Sequence, residues 1–469
     1  MVFSSLEFIF YFLPIFLLIY YLVPIKWKNL ILLIGSLVFY GYGVQGEPFY
    51  LILIVFSIVV NYVIGLQIER KRSKGKVYLL LGLFYNFGWL FLFKYAAFTA
   101  DNINSLTEFF VKKEIIPPFQ LILPIGISFY TFQIASYLID VYREEIPAAK
   151  SVITLGAYLC MFPQLIAGPI VTYSSVAAQL RIRTHTLKKV DEGLRLFTLG
   201  LGLKVLLANQ IGKLWTDIGA VGYESISTPL AWMGIFAYSF QLYFDFYGYS
   251  LMAIGLGKLL GMNLPQNFNY PYMAVSMTDF WRRWHITLGS WFREYIYIPL
   301  GGNRQGNLKT IRNLFIVWTF TGIWHGASWN FVLWGILLFV IITLEKYVYG
   351  NILQKVPVLG HVYMLFLIPV SWSLFEITDF NQLGIYLGKL FPILGKQQTP
   401  LFAGDYIKYG KMYGIFLILG FIFSTNLPRK LYERWKDKLI ASIVLLAIFW
   451  ASVYCLYMGM DDPFLYFRF

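Results

Sequence analysis

The stretch FYLILIVFSIVVNYVIGL, residues 49–66, decides the fold class because it continues for 18 residues without a charged side chain. An apolar run of about 18 to 20 residues is long enough, as an α-helix, to cross the hydrocarbon core of a bilayer. A soluble protein has little use for such a run, since both ends and all faces of the helix would be apolar. The stretch therefore predicts a membrane-spanning helix.

Similar apolar stretches recur along the whole chain, and they predict an all-α polytopic membrane protein with about 10 to 12 crossings of roughly 20 residues each. The other stretches are 8–23, 30–44, 77–98, 121–139, 151–167, 194–207, 229–256, 311–347, 362–375, 410–423 and 439–458. Because no linker, low-complexity tract or internal repeat divides the sequence, we expect one integral-membrane domain over residues 1–469.

The composition excludes several other classes of protein. Of the 469 residues, 58% are hydrophobic, 20% are aromatic and only 13% are charged, whereas a soluble domain has about 25% charged residues. Disorder is excluded by the same figures, and the two cysteines are too few for a disulfide scaffold. The net charge of +14 comes without a nucleic-acid-binding motif, so we expect no nucleic-acid partner.

The basic residues gather in short loops between the apolar stretches, at 26–28, 69–76, 181–189, 304–312 and 429–438. Lys and Arg are enriched in the cytoplasmic loops of membrane proteins, where they also contact anionic lipid headgroups. These loops are therefore predicted to face the cytoplasm. The same rule places the N-terminus and the C-terminal tail, residues 459–469, outside.

Polar residues that violate the apolar pattern are concentrated between residues 241 and 330. Ionisable groups at membrane depth are expensive and are candidates for a functional site by default. Irregular backbone at that depth survives only where protein or a water-filled cavity surrounds it. We predict interrupted or re-entrant helices that line a polar cavity. The candidate side chains for binding a substrate or donor are Asp245, Asn267, Trp281, Arg282, Arg283 and Trp324.

His325 is the first candidate catalytic residue of this segment. It lies inside an apolar stretch, in the sequence TGIWHGASW at 321–329. A neutral imidazole in a poorly hydrated site can take a proton from an attacking hydroxyl near pH 7. The alternative, taken from the residue alone, is an ordinary hydrogen bond between helices.

His285 follows Trp281, Arg282 and Arg283 in the sequence DFWRRWH at 279–285. On a continuous helix, Trp281 and His285 would share one face. The two arginines either anchor a helix at the membrane boundary or bind an anionic donor, such as a pyrophosphate or phosphopantetheine. Two histidines without a cluster of further ligands do not predict a metal site.

Five ordered blocks of sequence carry a resemblance to a known family. They are LPIGISFYTFQIASYLIDVYR (123–143), FPQLIAGP (162–169), YFDFYGYSLMAIGLG (243–257), LPQNFNYPYMAVSMTDFWRRWHITLGSWFREYIYIPLGGNR (264–304) and GIWHGASWNFVLW (322–334). The chain resembles, over essentially its whole length, bacterial membrane-bound O-acyltransferases (MBOAT) of the alginate and peptidoglycan O-acetyltransferase-like branch.

This resemblance implies a ring of transmembrane helices, with re-entrant and interfacial helices, around a central funnel. It implies that His325 is the essential histidine and that His285 is the second one. It also implies acetyl-CoA as the donor substrate, no permanently bound cofactor, and a bacterial cytoplasmic membrane location. An extracytoplasmic SGNH/GDSL-type partner would then esterify a polysaccharide. Tyr247 and Leu251 stand where the family commonly has Ser and Asp, which puts substrate contacts at those two positions in doubt.

The C-terminal sequence FLYFRF, residues 464–469, resembles the terminal motif of a small membrane peptide that accompanies teichoic acid D-alanyl transferases. By this resemblance Tyr466 would carry the acyl group on its phenol, although aromatic residues also gather at membrane interfaces for other reasons. Two rival functions stay open at this point. One is D-alanyl transfer to teichoic acid from a carrier-protein thioester, and the other is transport or flipping of a polysaccharide precursor.

Overall fold

The structure is a computed structural model that describes residues 2–44, 46–112, 115–166, 168–393 and 399–459. Throughout these ranges the regular secondary structure is helical, which confirms the predicted all-α class. Seven of the described helical segments are long and apolar enough to cross a membrane. They are Pro48–Arg70, Arg72–Phe110, Leu187–Val221, Trp329–Lys355, Pro357–Glu376, Asp405–Phe423 and Leu439–Tyr457.

The described residues form 22 α-helices, numbered here in chain order. They are α1 Leu13–Leu22, α2 Lys28–Gly43, α3 Pro48–Arg70, α4 Gly75–Leu90, α5 Ala96–Val111, α6 Ile127–Tyr142, α7 Val152–Leu159, α8 Phe162–Leu165, α9 Tyr173–Arg181 and α10 Leu187–Gly202. They continue with α11 Asn209–Val221, α12 Thr228–Leu259, α13 Met277–Arg283, α14 Ile286–Phe292, α15 Asn307–His325, α16 Trp329–Leu344, α17 Gly350–Lys355, α18 Pro357–Glu376, α19 Phe380–Leu390, α20 Asp405–Phe423, α21 Leu427–Trp435 and α22 Leu439–Tyr457.

Contacts within the chain divide it into two compact units. Unit 1 comprises the residues up to Leu194 together with Ala253–Pro265, and unit 2 comprises Arg195–Met252 together with the residues from Gln266 onward. The prediction of a single integral domain stays a prediction. Both histidines and all six candidate binding residues belong to unit 2, so the candidate site can be described within that unit.

Three of the predicted apolar stretches are interrupted, which corrects their predicted boundaries. The stretch 121–139 becomes helical only from Ile127, because Pro124 and the left-handed backbone of Gly126 (φ 76°) precede the helix. The stretch 151–167 is divided into α7 and the short α8. The stretch 311–347 is divided into α15 and α16 by three residues, Gly326 to Ser328. Apolar composition shows the depth of a segment but does not show where its helix ends.

Two glycines allow α15 and α16 to pack closely in unit 2. A methyl group added at Gly322 would collide with the carbonyl oxygen of Phe331, and one added at Gly335 would collide with the carbonyl oxygen of Trp318. Small residues are the usual means by which membrane helices bring their backbones together. The close approach holds the C-terminal end of α15, and thus His325, against α16.

Candidate active site

His325 is the last residue of α15, where the helix stops and Gly326 continues in extended conformation (φ −165°). Gly326 is needed here because a Cβ at this position would overlap the ring of Phe331. The side chain of His325 is buried, with 6% of its surface exposed. The sequence predicted His325 in the interior of one span, and the structure places it instead at a break between two helices.

Three aromatic rings surround the imidazole of His325. Its ring centroid lies 5.0 Å from that of Trp324, 5.2 Å from that of Trp334 and 5.2 Å from that of Phe375. The interplanar angles of 75°, 89° and 81° show edge-to-face packing in all three cases. Such a setting excludes water and lowers the local dielectric, which strengthens hydrogen bonds to any reacting group.

His285 lies between α13 and α14, outside the seven apolar helical segments, in a left-handed backbone conformation (φ 44°, ψ 51°). A non-glycine residue in this region is uncommon, and such strain persists where the surrounding structure holds it. The prediction that Trp281 and His285 share a helix face is wrong, because α13 ends at Arg283. The helix is therefore interrupted at Trp284 and His285, between α13 and α14.

Asn267 holds the imidazole of His285 in one orientation. Its Oδ1 accepts hydrogen bonds from the backbone N–H of Thr287 at 3.2 Å and from the Thr287 hydroxyl at 2.9 Å. Nδ1 of His285 lies 3.3 Å from the same oxygen. Because a backbone N–H can only donate, the oxygen of the amide must face this group, and Nδ1 of His285 must therefore carry a hydrogen.

The buried position of His285 keeps its ring neutral. Desolvation lowers the pKa of His285 to about 3, since burial disfavours the charged form. With the hydrogen on Nδ1, the lone pair of the neutral ring is on Nε2. His285 can thus accept a hydrogen bond at Nε2 while its ring stays neutral.

Trp324 connects the two histidines. Its ring centroid lies 6.1 Å from that of His285 and 5.0 Å from that of His325. Trp281 extends the same aromatic group, with its ring 5.5 Å from that of Trp334. The structure thus brings together four predicted residues, His285, His325, Trp324 and Trp281, and Asn267 joins them through His285.

The two predicted arginines are placed differently. Arg282 is exposed, and the Nε of Arg283 forms an ion pair with Oδ1 of Asp279 at 2.9 Å within the same helix. A role for these arginines in donor binding stays a prediction.

Asp245 is paired with a lysine in the interior of unit 2. Its Oδ1 lies 2.8 Å from Nζ of Lys204, and the two side chains are 3% and 1% exposed. Nζ of Lys204 also donates to Oδ1 of Asn209 at 3.1 Å. This pair links α12 to the π-helical turn Leu203–Ala208. A contact between Asp245 and a substrate stays a prediction.

Several residues that shape the site were missed from the sequence. Trp334 and Phe375 contact His325. Because 20% of the residues in this chain are aromatic, the sequence does not distinguish these two from the others. Glu345 is a buried carboxylate that accepts hydrogen bonds from the backbone N–H groups of Met277, at 2.5 Å, and Thr278, at 2.9 Å. It fixes the beginning of α13. An acidic residue at the end of an apolar run was the signal that could have identified it.

The C-terminal motif at 464–469, including Tyr466, lies outside the described residues. Of the two positions that depart from the family pattern, Tyr247 stacks on Tyr243 with ring centroids 5.4 Å apart. Leu251 is half-buried.

Comparison with known proteins matches this region to a family. A model of the membrane-bound O-acyltransferase family matches residues 143–378, a range that contains both histidines. A probable alginate O-acetylase of Azotobacter vinelandii is 41% identical over 81% of this chain and 76% of its own length. One of Pseudomonas putida is 35% identical over the full length of both chains. A peptidoglycan O-acetyltransferase of Helicobacter pylori is 38% identical over 72% of this chain and 69% of its own length.

The family model covers the range that contains the two buried histidines, and the full-length likeness to an alginate O-acetylase supports the same family. The chain belongs to the membrane-bound O-acyltransferase family and is a multi-pass membrane O-acyltransferase.

Proposed function

We propose that this protein transfers an acetyl group for the O-acetylation of a cell-envelope or secreted polysaccharide. The observation that carries the proposal is the connection of His285 and His325 through the ring of Trp324, inside the range that matches the family. The relatives named above as alginate O-acetylases and as a peptidoglycan O-acetyltransferase support a polysaccharide acceptor.

In the proposed reaction His325 acts as general base. One of its ring nitrogens takes the proton of an acceptor hydroxyl while the hydroxyl oxygen attacks the carbonyl carbon of a thioester. The carbon–sulfur bond then breaks, and the departing sulfur takes the proton from the imidazolium. An ester and a free thiol are formed, and His325 returns to its neutral state. The aromatic walls around His325 would keep water from competing as the nucleophile.

His285 is proposed to position the acceptor rather than to supply positive charge. A neutral ring with its hydrogen on Nδ1, toward Asn267, can accept a hydrogen bond at Nε2 but cannot donate one there. It would therefore orient a hydroxyl group near His325. Trp324, between the two imidazoles, would set their separation.

The donor is proposed to be acetyl-CoA, which would enter from the cytoplasm beside the basic loops. The acetyl group would leave on the other side of a bacterial cytoplasmic membrane, where both chain termini are predicted to lie. There an SGNH/GDSL-type partner would receive the group on a serine and esterify the polysaccharide. Donor and partner both follow from the family resemblance.

Tyr466 is proposed to be the first acceptor. A tyrosine phenol ordinarily has a pKa of about 10 and needs an adjacent base to act as a nucleophile, which His325 would provide. When the purified full chain is incubated with acetyl-labelled acetyl-CoA, the label should be found on the peptide that contains Tyr466. Tyr466→Phe keeps the ring and removes the hydroxyl, so it should lose this label. Normal transfer activity in Tyr466→Phe would reduce the tail to a membrane anchor.

The identity of the acyl group distinguishes acetylation from the rival D-alanyl transfer to teichoic acid, against which the full-length likeness to an alginate O-acetylase argues. Mild base should release acetate from the envelope polymers of cells that express the protein. Mass spectrometry of the released material is the test. Release of D-alanine that depends on this protein would support the rival function instead.

A further inference from the structure

Unit 1 contains a cluster of four basic side chains from two loops that were predicted to face the cytoplasm. This cation cluster consists of Lys28, Arg183, His185 and Lys189. Lys28 and Arg183 are buried, with 5% and 6% of their surface exposed, and His185 and Lys189 are half-buried. The charges of Lys28, Arg183 and Lys189 all reach His185, and together with the larger effect of burial they lower its pKa.

The two buried cations share the ring of Tyr20. Nζ of Lys28 lies 4.4 Å from the centroid of this ring, and Cζ of Arg183 lies 5.8 Å from it. Lys28 donates to the backbone oxygen of Tyr20 at 2.8 Å, and Arg183 donates to the Tyr20 hydroxyl at 2.9 Å. Arg183 also donates to Oδ1 of Asn29 at 2.5 Å. Every one of these acceptors is neutral.

The partners of the half-buried lysine are neutral as well. Nζ of Lys189 donates to the hydroxyl of Thr184 at 2.7 Å and to the backbone oxygen of Gly261 at 3.2 Å. Within the described ranges no ion pair joins Lys28, Arg183 or Lys189 to a carboxylate.

Buried charges of one sign are costly unless an opposite charge compensates them. The C-terminal ends of α1 and α12 provide partial negative charge at Tyr20 and near Gly261, equivalent to about half a charge for each helix. Three lysine and arginine charges exceed this compensation. The cluster therefore attracts an anion.

The surface beside the cluster is apolar. The exposed apolar side chains on the same two loops and the end of α1 are Leu22, Ile25, Trp27, Ile182 and Leu187. Cations next to exposed aliphatic and aromatic side chains are typical of a protein surface at the boundary between headgroups and acyl chains. A small soluble anion would not contact these apolar side chains, whereas a phospholipid would contact both the cations and the apolar side chains.

We propose that the cation cluster binds the phosphate of an anionic phospholipid headgroup, while the acyl chains lie along the neighbouring apolar side chains. Lys189 and His185 would contact the headgroup from the accessible side. Lys28 and Arg183 would act beneath them through their charge. This site does not depend on the proposed acetyl transfer, because its residues are in unit 1 and take no part in the chemistry described above.

The test is binding of phosphatidylglycerol to the purified full chain in non-ionic detergent, measured by native mass spectrometry. A cation near a membrane surface contributes about a fivefold factor in affinity for anionic lipid. Lys189→Gln should therefore weaken phosphatidylglycerol binding about fivefold. Lys188→Gln is the matched control, since Lys188 is the adjacent, exposed lysine in the first turn of α10, and it should leave binding unchanged.

A second variant guards against a loss of fold. Arg183→Lys keeps the buried charge and should retain binding, whereas Arg183→Gln should weaken it. Equal binding of phosphatidylglycerol by Lys189→Gln and Lys188→Gln would overturn the proposal, as would equal binding of phosphatidylcholine and phosphatidylglycerol by the wild type. The contrary outcome is that free coenzyme A displaces the lipid from the wild type but not from Lys189→Gln. That result would assign the site to a soluble phosphate and overturn the lipid assignment.

Discussion

At the scale of single residues, the site depends on how two imidazoles are held. His325 is enclosed by the rings of Trp324, Trp334 and Phe375. His285 is kept in a strained backbone conformation and is oriented by the side-chain oxygen of Asn267. The two histidines thus differ in their surroundings. The ring of His325 packs against aromatic rings, and the ring of His285 is oriented by a hydrogen bond that selects its tautomer.

The buried, neutral state of His285 predicts a pH dependence of stability. Above the unfolded-state pKa of about 6.5 the ring is neutral in both states and contributes no pH dependence. As the pH falls from there towards the folded-state value of about 3, only the unfolded chain takes up a proton. Stability should therefore fall by about 1.4 kcal/mol per pH unit from this group.

His285→Gln should remove that part of the slope. The measurement is the midpoint of thermal unfolding of the detergent-purified protein between about pH 4.5 and 6.5, where the ionisation of an unfolded histidine changes. His361→Gln, which changes an exposed histidine of α18, is the control and should keep the wild-type slope. Equal slopes in His285→Gln and the wild type would show that His285 is not buried in the neutral form.

Both histidines could be named as candidate catalytic residues from the sequence, but the way in which the structure connects them could not be predicted. The run WRRWHITLG at 281–289 has no proline, and its first glycine, Gly289, comes only after the break at His285. The prediction from helical spacing that Trp281 and His285 share one helix face was therefore wrong. The break depends on hydrogen bonds that the residues around His285 donate to the oxygens of Asn267, 18 residues earlier in the sequence, and local sequence patterns do not contain such a contact.

At the scale of helices, the position of His325 is determined by where α15 ends and how closely α16 packs against it. Gly322 and Gly335 provide the close approach, and Gly326 allows the sharp exit from α15. Hydropathy predicted this region as one long apolar stretch. Since long apolar runs flank the break on both sides, only the small residues Gly326, Ala327 and Ser328 carried information about it.

Gly335→Ala should disturb this packing. The added methyl group would collide with the backbone oxygen of Trp318, which cannot rotate away as a side chain can. Overpacking of this kind costs about 1 to 3 kcal/mol, so we expect a lower melting temperature and a loss of acyl transfer through displacement of His325. Gly414→Ala in α20 is the control, because a Cβ at Gly414 has open space around it. Similar melting temperatures for the two variants would contradict the described packing.

The pair of Lys204 and Asp245 provides a second prediction at this scale. Lys204→Met removes the salt-bridge partner of a buried carboxylate, which costs about 3 to 5 kcal/mol in buried pairs. Lys204→Met combined with Asp245→Leu removes both charges and should recover most of that loss. Thermal unfolding of the single and double variants is the measurement. A double variant no more stable than Lys204→Met would argue against a mutual pairing of the two charges.

At the scale of the whole molecule, the few charged residues fall into separate groups. The candidate active site lies in unit 2, and the cation cluster lies in unit 1. The all-α membrane class and the family could be predicted from composition and long sequence blocks. The division of apolar stretches, the pairing of Asp245 and the role of Glu345 could not, since each depends on contacts between residues far apart in the chain.

The central claim is that His325 acts as general base in the transfer of an acetyl group destined for a polysaccharide. It is tested most directly by measuring base-released acetate from the envelope polymers of cells that express the wild type, His325→Ala or His361→Ala. With protein amounts in the membrane matched, His325→Ala should abolish the acetate that depends on this protein, and His361→Ala should retain it. Undiminished acetate in His325→Ala would contradict the claim.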